Sequence, residues 1–102
     1  MSETMERMYM LMVLYLIKHS GPALSNTQIM EFFPSNKYAD YFKVQAVITD
    51  LTDRRFVIPV KKDHRTTYFI TEAGNKALEQ LDHFIPPAIM DDLKIYLKTV
   101  NR

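Results

Sequence analysis

Residues 44–70, VQAVITDLTDRRFVIPVKKDHRTTYFI, contain the pattern that decides the fold of this 102-residue chain. The first part repeats apolar residues at the i, i+3, i+4, i+7 spacing of a helix with one buried stripe. That stripe consists of Val44, Val47, Ile48 and Leu51. In the second part, two β-branched and aromatic runs flank the polar residues 61–65, a pattern typical of a hairpin. The stretch therefore predicts a helix, capped near Asp40 and ending at about Arg55, followed by a two-stranded hairpin with a short basic tip.

Two further helices are predicted before this stretch. The first covers about residues 3–19, and its apolar residues surround the helix, so more than one of its faces is covered. Two interpretations are open: a central core helix, or a helix whose second face is buried against another subunit. Ser25 and Gln28 form a capping box that starts a second helix over about residues 26–33. Pro34 then ends that helix and turns the chain.

Two more helices are predicted after the hairpin. Thr71 can cap a helix over about residues 72–82, and Pro86-Pro87 separates it from the last one. The last helix carries one apolar stripe, formed by Ile89, Leu93, Tyr96, Leu97 and Val100. The predicted class is mainly α with a small β-hairpin: three helices, two strands, two helices. Residues 1–85 form one domain, and residues 86–102 add a C-terminal helix to that same domain.

This order resembles that of winged helix-turn-helix proteins. Residues 68–74, YFITEAG, resemble the exit from the wing in bacterial PadR-like and MarR-like regulators. Residues 24–29, LSNTQI, resemble the start of their second helix, and residues 51–57, LTDRRFV, the end of their reading helix. With YADYF at residues 38–42, the chain is most similar to a bacterial winged-helix family of unknown function. The resemblance spans roughly residues 11–81 and implies a transcription regulator that binds duplex DNA.

Charge is distributed unevenly along the chain. The whole sequence has 13 basic and 12 acidic residues, a net charge of +1. Residues 34–70 contain seven Lys or Arg and four Asp, which gives +3, whereas the other six basic and eight acidic residues give −2. Phosphate contacts supply most of the affinity of a protein for DNA. The basic middle is therefore the predicted DNA-binding part, and its modest charge predicts weak binding per monomer and a need for dimerisation.

In a helix-turn-helix, the first part of the reading helix enters the major groove. The candidates for base contacts are Lys43, Gln45, Ala46 and Thr49. Gln45 suits adenine, Ala46 or Thr49 suits a thymine methyl group, and Lys43 suits guanine or a phosphate. The candidates for backbone contacts are Lys37, Tyr38, Tyr41, Lys61, Lys62, His64 and Arg65. For each of these residues the alternative is an ordinary solvated surface position.

Two side-chain groups near the reading helix have a predicted structural role. Asp50 and Asp53 would repel phosphate if they faced DNA, so we expect them to pair with Arg54 or Lys43. Aromatic residues cluster where the helix begins. We expect Phe42 to pack into the core, with Tyr38 and Tyr41 half-buried beside it; the alternative is a ligand pocket or a base-stacking surface.

The last helix is longer than a small winged core requires. In PadR-like proteins a C-terminal helix pairs with the first helix of a second subunit, and the resemblance implies the same role here. The candidate dimer-interface residues are Met5, Met8, Met12, Ile89, Leu93, Tyr96, Leu97 and Val100. The alternative is that this helix packs only within its own monomer.

Enzymatic and membrane functions find little support in the sequence. The chain has no Cys, and His19, His64 and His83 lie in three separate elements without ligand spacing. We therefore expect no catalytic residues, no metal and no cofactor. The apolar residues 8–17 are about half of the ~20 that cross a bilayer, and their flanks are unlike those of a signal peptide. These features predict a cytoplasmic protein.

Two functions remain open from the sequence. The first is a sequence-specific, duplex-DNA-binding transcription regulator that acts as a homodimer, with the third helix in the major groove and the wing on the backbone. The alternative is a winged-helix protein–protein interaction module with little or no DNA binding, because this fold serves both purposes. The sequence indicates no particular small-molecule effector.

Overall fold

The computed structural model describes residues 3–101, and their layout confirms the predicted fold class. The helices are α1 (Glu3–His19), α2 (Asn26–Ser35), α3 (Tyr41–Asp53), α4 (Glu72–Leu81) and α5 (Pro87–Val100). Strands β1 (Val57–Lys62) and β2 (Arg65–Ile70) form the antiparallel hairpin, here called the wing. A short 3-10 helix, Asp82–Phe84, joins α4 to α5. The arrangement is mainly helical and winged-helix-like.

Helix α1 is the centre of the core. Its buried residues lie on several faces and are Tyr9, Leu11, Met12, Val13, Leu14, Leu16 and Ile17. Helices α3, α4 and α5 and strand β2 all pack against it. The interpretation as a central core helix is therefore confirmed. The alternative, a face of α1 buried against another subunit, stays a prediction, because residues near the start of the helix such as Met5 remain exposed.

Helix α2 begins as predicted but ends later. The Ser25 hydroxyl accepts from the backbone N–H of Gln28 at 3.2 Å, and the Gln28 side chain accepts from the N–H of Ser25 at 2.9 Å, which confirms the capping box. The helix continues past residue 33 because Pro34 fits in its last turn, where the fixed φ of proline is helical. The chain leaves the helix at Lys37, whose φ of 61° is left-handed.

Helix α3 begins where Asp40 caps it, with the Asp40 carboxylate accepting from the N–H of Lys43 at 2.9 Å. The predicted core stripe is confirmed, since each of its residues is at most 1% exposed: Val44, Val47, Ile48 and Leu51. The prediction that Phe42 packs into the core is wrong, because this side chain is 88% exposed. Two residues correspond to a rotation of about 200° around a helix, so Phe42 lies nearly opposite Val44.

The wing has a tighter turn than predicted. Lys62 pairs with Arg65, so only Asp63 and His64 form the turn, with φ values of 52° and 64°. Two positive φ values are the mark of a type I′ turn, which suits the twist of a hairpin. The other residues of the predicted tip, Lys61, Lys62 and Arg65, belong to the strands. One pairing was not predicted: the N–H of Tyr68 donates to the carbonyl oxygen of Leu24 at 3.0 Å, which accompanies an isolated antiparallel β-bridge between Ser25 and Thr67.

Helix α5 packs on its own monomer. Leu93 is 0% exposed and Leu97 6% exposed, and the Tyr96 hydroxyl donates to the carbonyl oxygen of Gln28 at 2.9 Å. Met12 on α1 is also fully buried. These burials correct the predicted dimer interface, because Met12, Leu93 and Leu97 are core residues that a second subunit cannot reach.

The other candidate dimer residues are more accessible. Met5 is 46% exposed. Those packed at the edge of the core and partly buried are Met8, Ile89, Tyr96 and Val100.

No helix within residues 3–101 combines the length and the hydropathy needed to cross a membrane.

Candidate nucleic-acid interface

The solvent-facing side of α3 carries a line of three side chains. Phe42, Ala46 and Thr49 recur at i, i+4 and i+7, directly opposite the core stripe, and all three are exposed. We call these three residues the outward stripe. Lys43 and Gln45 are also exposed and lie on either side of it. Every residue predicted to contact bases therefore lies on the accessible surface of α3.

The C-terminal half of α3 is held by an ion pair. The Arg54 guanidinium lies 3.2 Å from the Asp50 carboxylate, four residues earlier, which confirms the expected pairing of Asp50. Asp53 is exposed at the end of the outward stripe. No ion pair of Asp53 occurs within residues 3–101. The C-terminal end of α3 therefore carries a negative charge. The first part of α3, which is predicted to enter the major groove, lies at the other end.

The wing presents its basic side chains to solvent. Its exposed basic residues are Lys61, Lys62, His64 and Arg65. Lys62 and Arg65 are directly paired across the two strands, although like charges in that position repel each other. An anion placed between two such cations would relieve their repulsion. The wing tip thus has the charge arrangement of a phosphate contact.

The wing tip lies beside the beginning of α2. Asn26 and Thr27 of α2, together with His64 and Arg65, border a polar groove of about 220 Å³. The Asn26 side chain also accepts from the Tyr68 hydroxyl at 2.9 Å, which fixes the wing against α2. The structure therefore brings together the wing tip and the start of α2, although no feature of the sequence places them side by side.

Helices α2 and α3 are each followed, just past the cap, by a basic residue in the left-handed conformation. Lys37 has φ 61° and Arg55 has φ 62°. In each case the next residue's N–H bonds back to the helix: Tyr38 to the carbonyl of Phe33, and Phe56 to that of Leu51, both at 2.9 Å. This is the Schellman ending, in which glycine is the usual residue. Here two exposed cations occupy the glycine positions.

Tyr38 is half-buried, as expected, and its polar groups are bonded within the chain. Its hydroxyl donates to the Asp92 carboxylate of α5, and its carbonyl oxygen accepts from the Tyr9 hydroxyl at 2.7 Å. Burial, the hydrogen bond to Asp92 and the charge of that carboxylate raise the pKa of Tyr38 to about 12. Because its hydroxyl is already used within the chain, Tyr38 is a structural tie between the turn and α5. Tyr41, in contrast, is 58% exposed.

One surface was missed by the sequence analysis. The side of the wing that faces away from the core carries Ile58, Val60 and Phe69, which are 53%, 43% and 49% exposed. Ile58 and Phe69 are paired directly across the strands. The sequence did contain a signal for this surface. Successive side chains of a strand point to opposite faces, so either residues 57 and 59 or residues 58 and 60 can face the core, and the other set must face away from it.

Other possible sites are limited. A cavity of about 300 Å³ lies between α1, the end of α3 and α4, with Leu11, Leu14 and Phe56 among its apolar walls and Arg54 at its rim. This volume is at the lower end of those that hold small ligands. No group of three or more His, Asp or Glu side chains with metal-binding geometry occurs in the part of the chain that the structure describes.

Comparison with known proteins gives one family. The family model described as "Domain of unknown function (DUF4364)" matches residues 9–102, nearly the whole chain. No curated protein matches the chain, and neither does any solved structure.

Proposed function

The chain belongs to the DUF4364 family, and we propose that it is a sequence-specific, duplex-DNA-binding transcription regulator of the bacterial cytoplasm, related to the PadR-like and MarR-like regulators. In this proposal the first turns of α3 enter the major groove and the wing lies on the phosphate backbone.

One observation carries the proposal: the exposed cations of the turn, α3 and the wing have no carboxylate partner within residues 3–101. These cations are Lys37, Lys43, Arg55, Lys61, Lys62 and Arg65. Phosphate binding releases counterions only when a cation is free to take the phosphate. Six unpaired cations on consecutive elements meet that condition.

The backbone supports the same proposal. An L-residue in the left-handed helical conformation is destabilised by roughly 1–2 kcal/mol, and glycine escapes that cost. Lys37 and Arg55 nevertheless occupy such positions. Strain of this kind is common at functional sites. Long cationic side chains at two glycine positions are explained if those side chains contact phosphates.

The groove between the wing and α2 provides a place for one phosphate. Arg65 and His64 border it on one side, and Asn26 and Thr27, the first residues of α2, border it on the other. Helix N-termini attract anions through their free N–H groups. Arg65 and the start of α2 would then hold the same phosphate from two sides.

Base contacts in this proposal come from Lys43, Gln45, Ala46 and Thr49, all exposed on α3. A homodimer remains part of the proposal because the charge of residues 34–70 is only +3. Two half-sites would double the number of phosphate contacts. Sedimentation velocity at micromolar concentration measures this directly, and a monomer both free and on DNA would remove the dimer from the proposal.

The experiment that tests DNA binding is a fluorescence anisotropy titration of a labelled 30-base-pair duplex of mixed sequence at 50–200 mM salt. We expect the logarithm of the association constant to fall linearly with the logarithm of salt concentration. An absence of binding at 50 mM salt would contradict the proposed function.

A second candidate function rests on the outer side of the wing. The apolar surface on this side of the wing, formed by Ile58, Val60 and Phe69, has no role in phosphate binding. Exposed apolar patches mark protein interfaces. This favours a winged-helix interaction module as the alternative. The same titration separates the two functions, because the interaction module predicts little or no DNA binding.

A further inference from the structure

Phe42 has an exposure that the fold itself does not explain. At 88%, it is the most exposed large apolar side chain in the described part of the chain. The cap of α3 does not need it, because Asp40 makes the capping bond to Lys43. The core does not use it either, since the buried stripe begins at Val44. Phe is also a poorer helix former than Ala at an exposed helical position.

The neighbours of Phe42 on the outward stripe share its chemistry. Ala46 presents a methyl group, and Thr49 presents a methyl group beside its hydroxyl. From Phe42 to Thr49 is seven residues, or about 10 Å along the helix axis. Consecutive bases of one DNA strand are about 3.4 Å apart, so the stripe is as long as about three base-pair steps.

Only one base offers an apolar group in the major groove. Thymine carries the 5-methyl group there, whereas the edges of the other bases present hydrogen-bond donors and acceptors. A phenyl ring, an alanine methyl and a threonine methyl are the side-chain groups that contact it. The stripe therefore matches thymines in its chemistry.

Charge determines which end of the stripe approaches DNA. Lys43 is adjacent to Phe42, and the exposed Lys37 precedes the helix. Asp53 is exposed eleven residues after Phe42 on the same side of α3, where it would repel phosphates. On the outward side of the helix itself, the Phe42 end is therefore the end that enters a groove lined by phosphates, whereas Arg55 lies past the end of α3 and is left for a phosphate outside that groove contact.

We infer that the outward stripe of α3 reads thymine methyl groups in the major groove, with Phe42 as the residue that sets this specificity. The inference rests on the proposed DNA-binding function and adds the base class that the helix selects.

The test compares thymine with uracil, which differs only by the missing methyl group. Duplexes are first enriched from a randomised pool by the wild-type protein. The most enriched sequence is then synthesised in two forms, one with thymine and one with uracil at every thymine position. We expect A·T pairs at the enriched positions. Removing one buried methyl group weakens binding about fourfold. With two or three methyl contacts the uracil duplex should bind roughly 15- to 60-fold more weakly.

Variants assign the effect to Phe42. Phe42→Ala should bind the thymine duplex more weakly and show a much smaller thymine-to-uracil ratio than the wild type. Phe69→Ala, which removes an exposed aromatic ring from the wing, is the matched control and should keep the wild-type ratio. The Phe42→Ala variant should remain folded, as its side chain is 88% exposed.

The outcomes separate this inference from the proposed function. Equal affinity of the wild type for both duplexes, with salt-dependent binding retained, would overturn the thymine inference and leave DNA binding in place. An unchanged ratio in Phe42→Ala would also overturn it. Absence of binding to either duplex would overturn both the thymine inference and the proposed DNA-binding function. The outward stripe would then be a candidate for contact with another protein.

Discussion

Gly74, in the first turn of α4, lies directly against the backbone carbonyl of Phe56, where α3 passes into the wing. A Cβ atom at position 74 would overlap that carbonyl oxygen. Thr71, the cap of α4, reinforces the contact: its N–H donates to the Phe56 carbonyl at 3.0 Å and its hydroxyl to the Arg55 carbonyl at 2.7 Å. The start of α4 therefore packs tightly against the junction between α3 and the wing.

Gly74→Ala should destabilise the protein by about 1–3 kcal/mol. The added methyl group meets backbone atoms, which cannot move aside as the end of a flexible side chain can. Urea unfolding followed by circular dichroism measures the loss as a lower midpoint at an unchanged slope.

The matched control for this substitution is Gly21→Ala. A Cβ atom there would lie 3.4 Å from the Asn101 side chain, an ordinary contact. This variant should stay close to wild-type stability. Equal stability of the two variants would contradict the role of Gly74 as the point of close approach.

Replacement of Lys61, Lys62 and Arg65 by Ala should weaken binding to every duplex sequence. If each side chain contacts one phosphate, the slope of log affinity against log salt should decrease in magnitude by about 2–3, because each contact contributes about 0.9. Anisotropy titrations at several salt concentrations measure both quantities.

The control removes the same net charge from another part of the surface. Lys76, Lys94 and Lys98 are exposed on α4 and α5, and their replacement by Ala should leave the slope within about one of the wild-type value. A similar loss in both triple variants would mean that overall charge, and not the wing, determines the affinity.

Local signals made most of the fold predictable. The cap at Asp40, the stripe that begins at Val44 and the two β-branched runs act over a few residues each, and the sequence displays all of them. Phe42 was predictable by the same rule, since two residues before Val44 is the opposite side of a helix. It was misplaced because a cluster of aromatic residues suggested a core.

Long-range features were not predictable in this way. An apolar stripe such as that of Leu93 and Leu97 shows that a helix is covered, but not whether its own chain or a partner covers it. The bond from Tyr68 to Leu24 joins residues 44 positions apart, and the segment around Leu24 contains no run of β-forming residues that would predict it. The left-handed conformation of Arg55 has no sequence signal, because glycine is its usual mark.

Tyr38→Phe should lower stability and change its dependence on pH. The pKa of Tyr38 is about 12 in the folded protein against an ordinary value of 10.0. A raised pKa means that the protonated phenol contributes stability fully below pH 10, and that this contribution is lost as the pH rises toward 12. The variant lacks this contribution, so its stability should be about 1 kcal/mol lower at pH 8 and should fall less steeply above pH 10.

Unfolding by urea at pH 8 to 11 in the wild type and the variant gives the comparison. Tyr15, Tyr68 and Tyr96 also have a raised pKa, chiefly through burial, so the difference between the two curves isolates Tyr38. Tyr41→Phe, which removes an exposed hydroxyl, is the matched variant. Parallel curves for wild type and Tyr38→Phe would contradict the role of the hydrogen bond to Asp92.

Arg55→Gly should make the protein more stable and a weaker DNA binder. Glycine removes the strain of φ 62°, worth roughly 1–2 kcal/mol, and adds about 0.5–1 kcal/mol of conformational entropy to the unfolded chain. The net gain is therefore about 0–1.5 kcal/mol, with a midpoint of about 0.7 kcal/mol. Arg55→Ala is the control, because it removes the same charge and keeps the left-handed strain. Both variants should lose the same DNA affinity, whereas only the glycine variant should gain stability in urea unfolding. A glycine variant that binds DNA as tightly as the wild type would mean that Arg55 makes no phosphate contact.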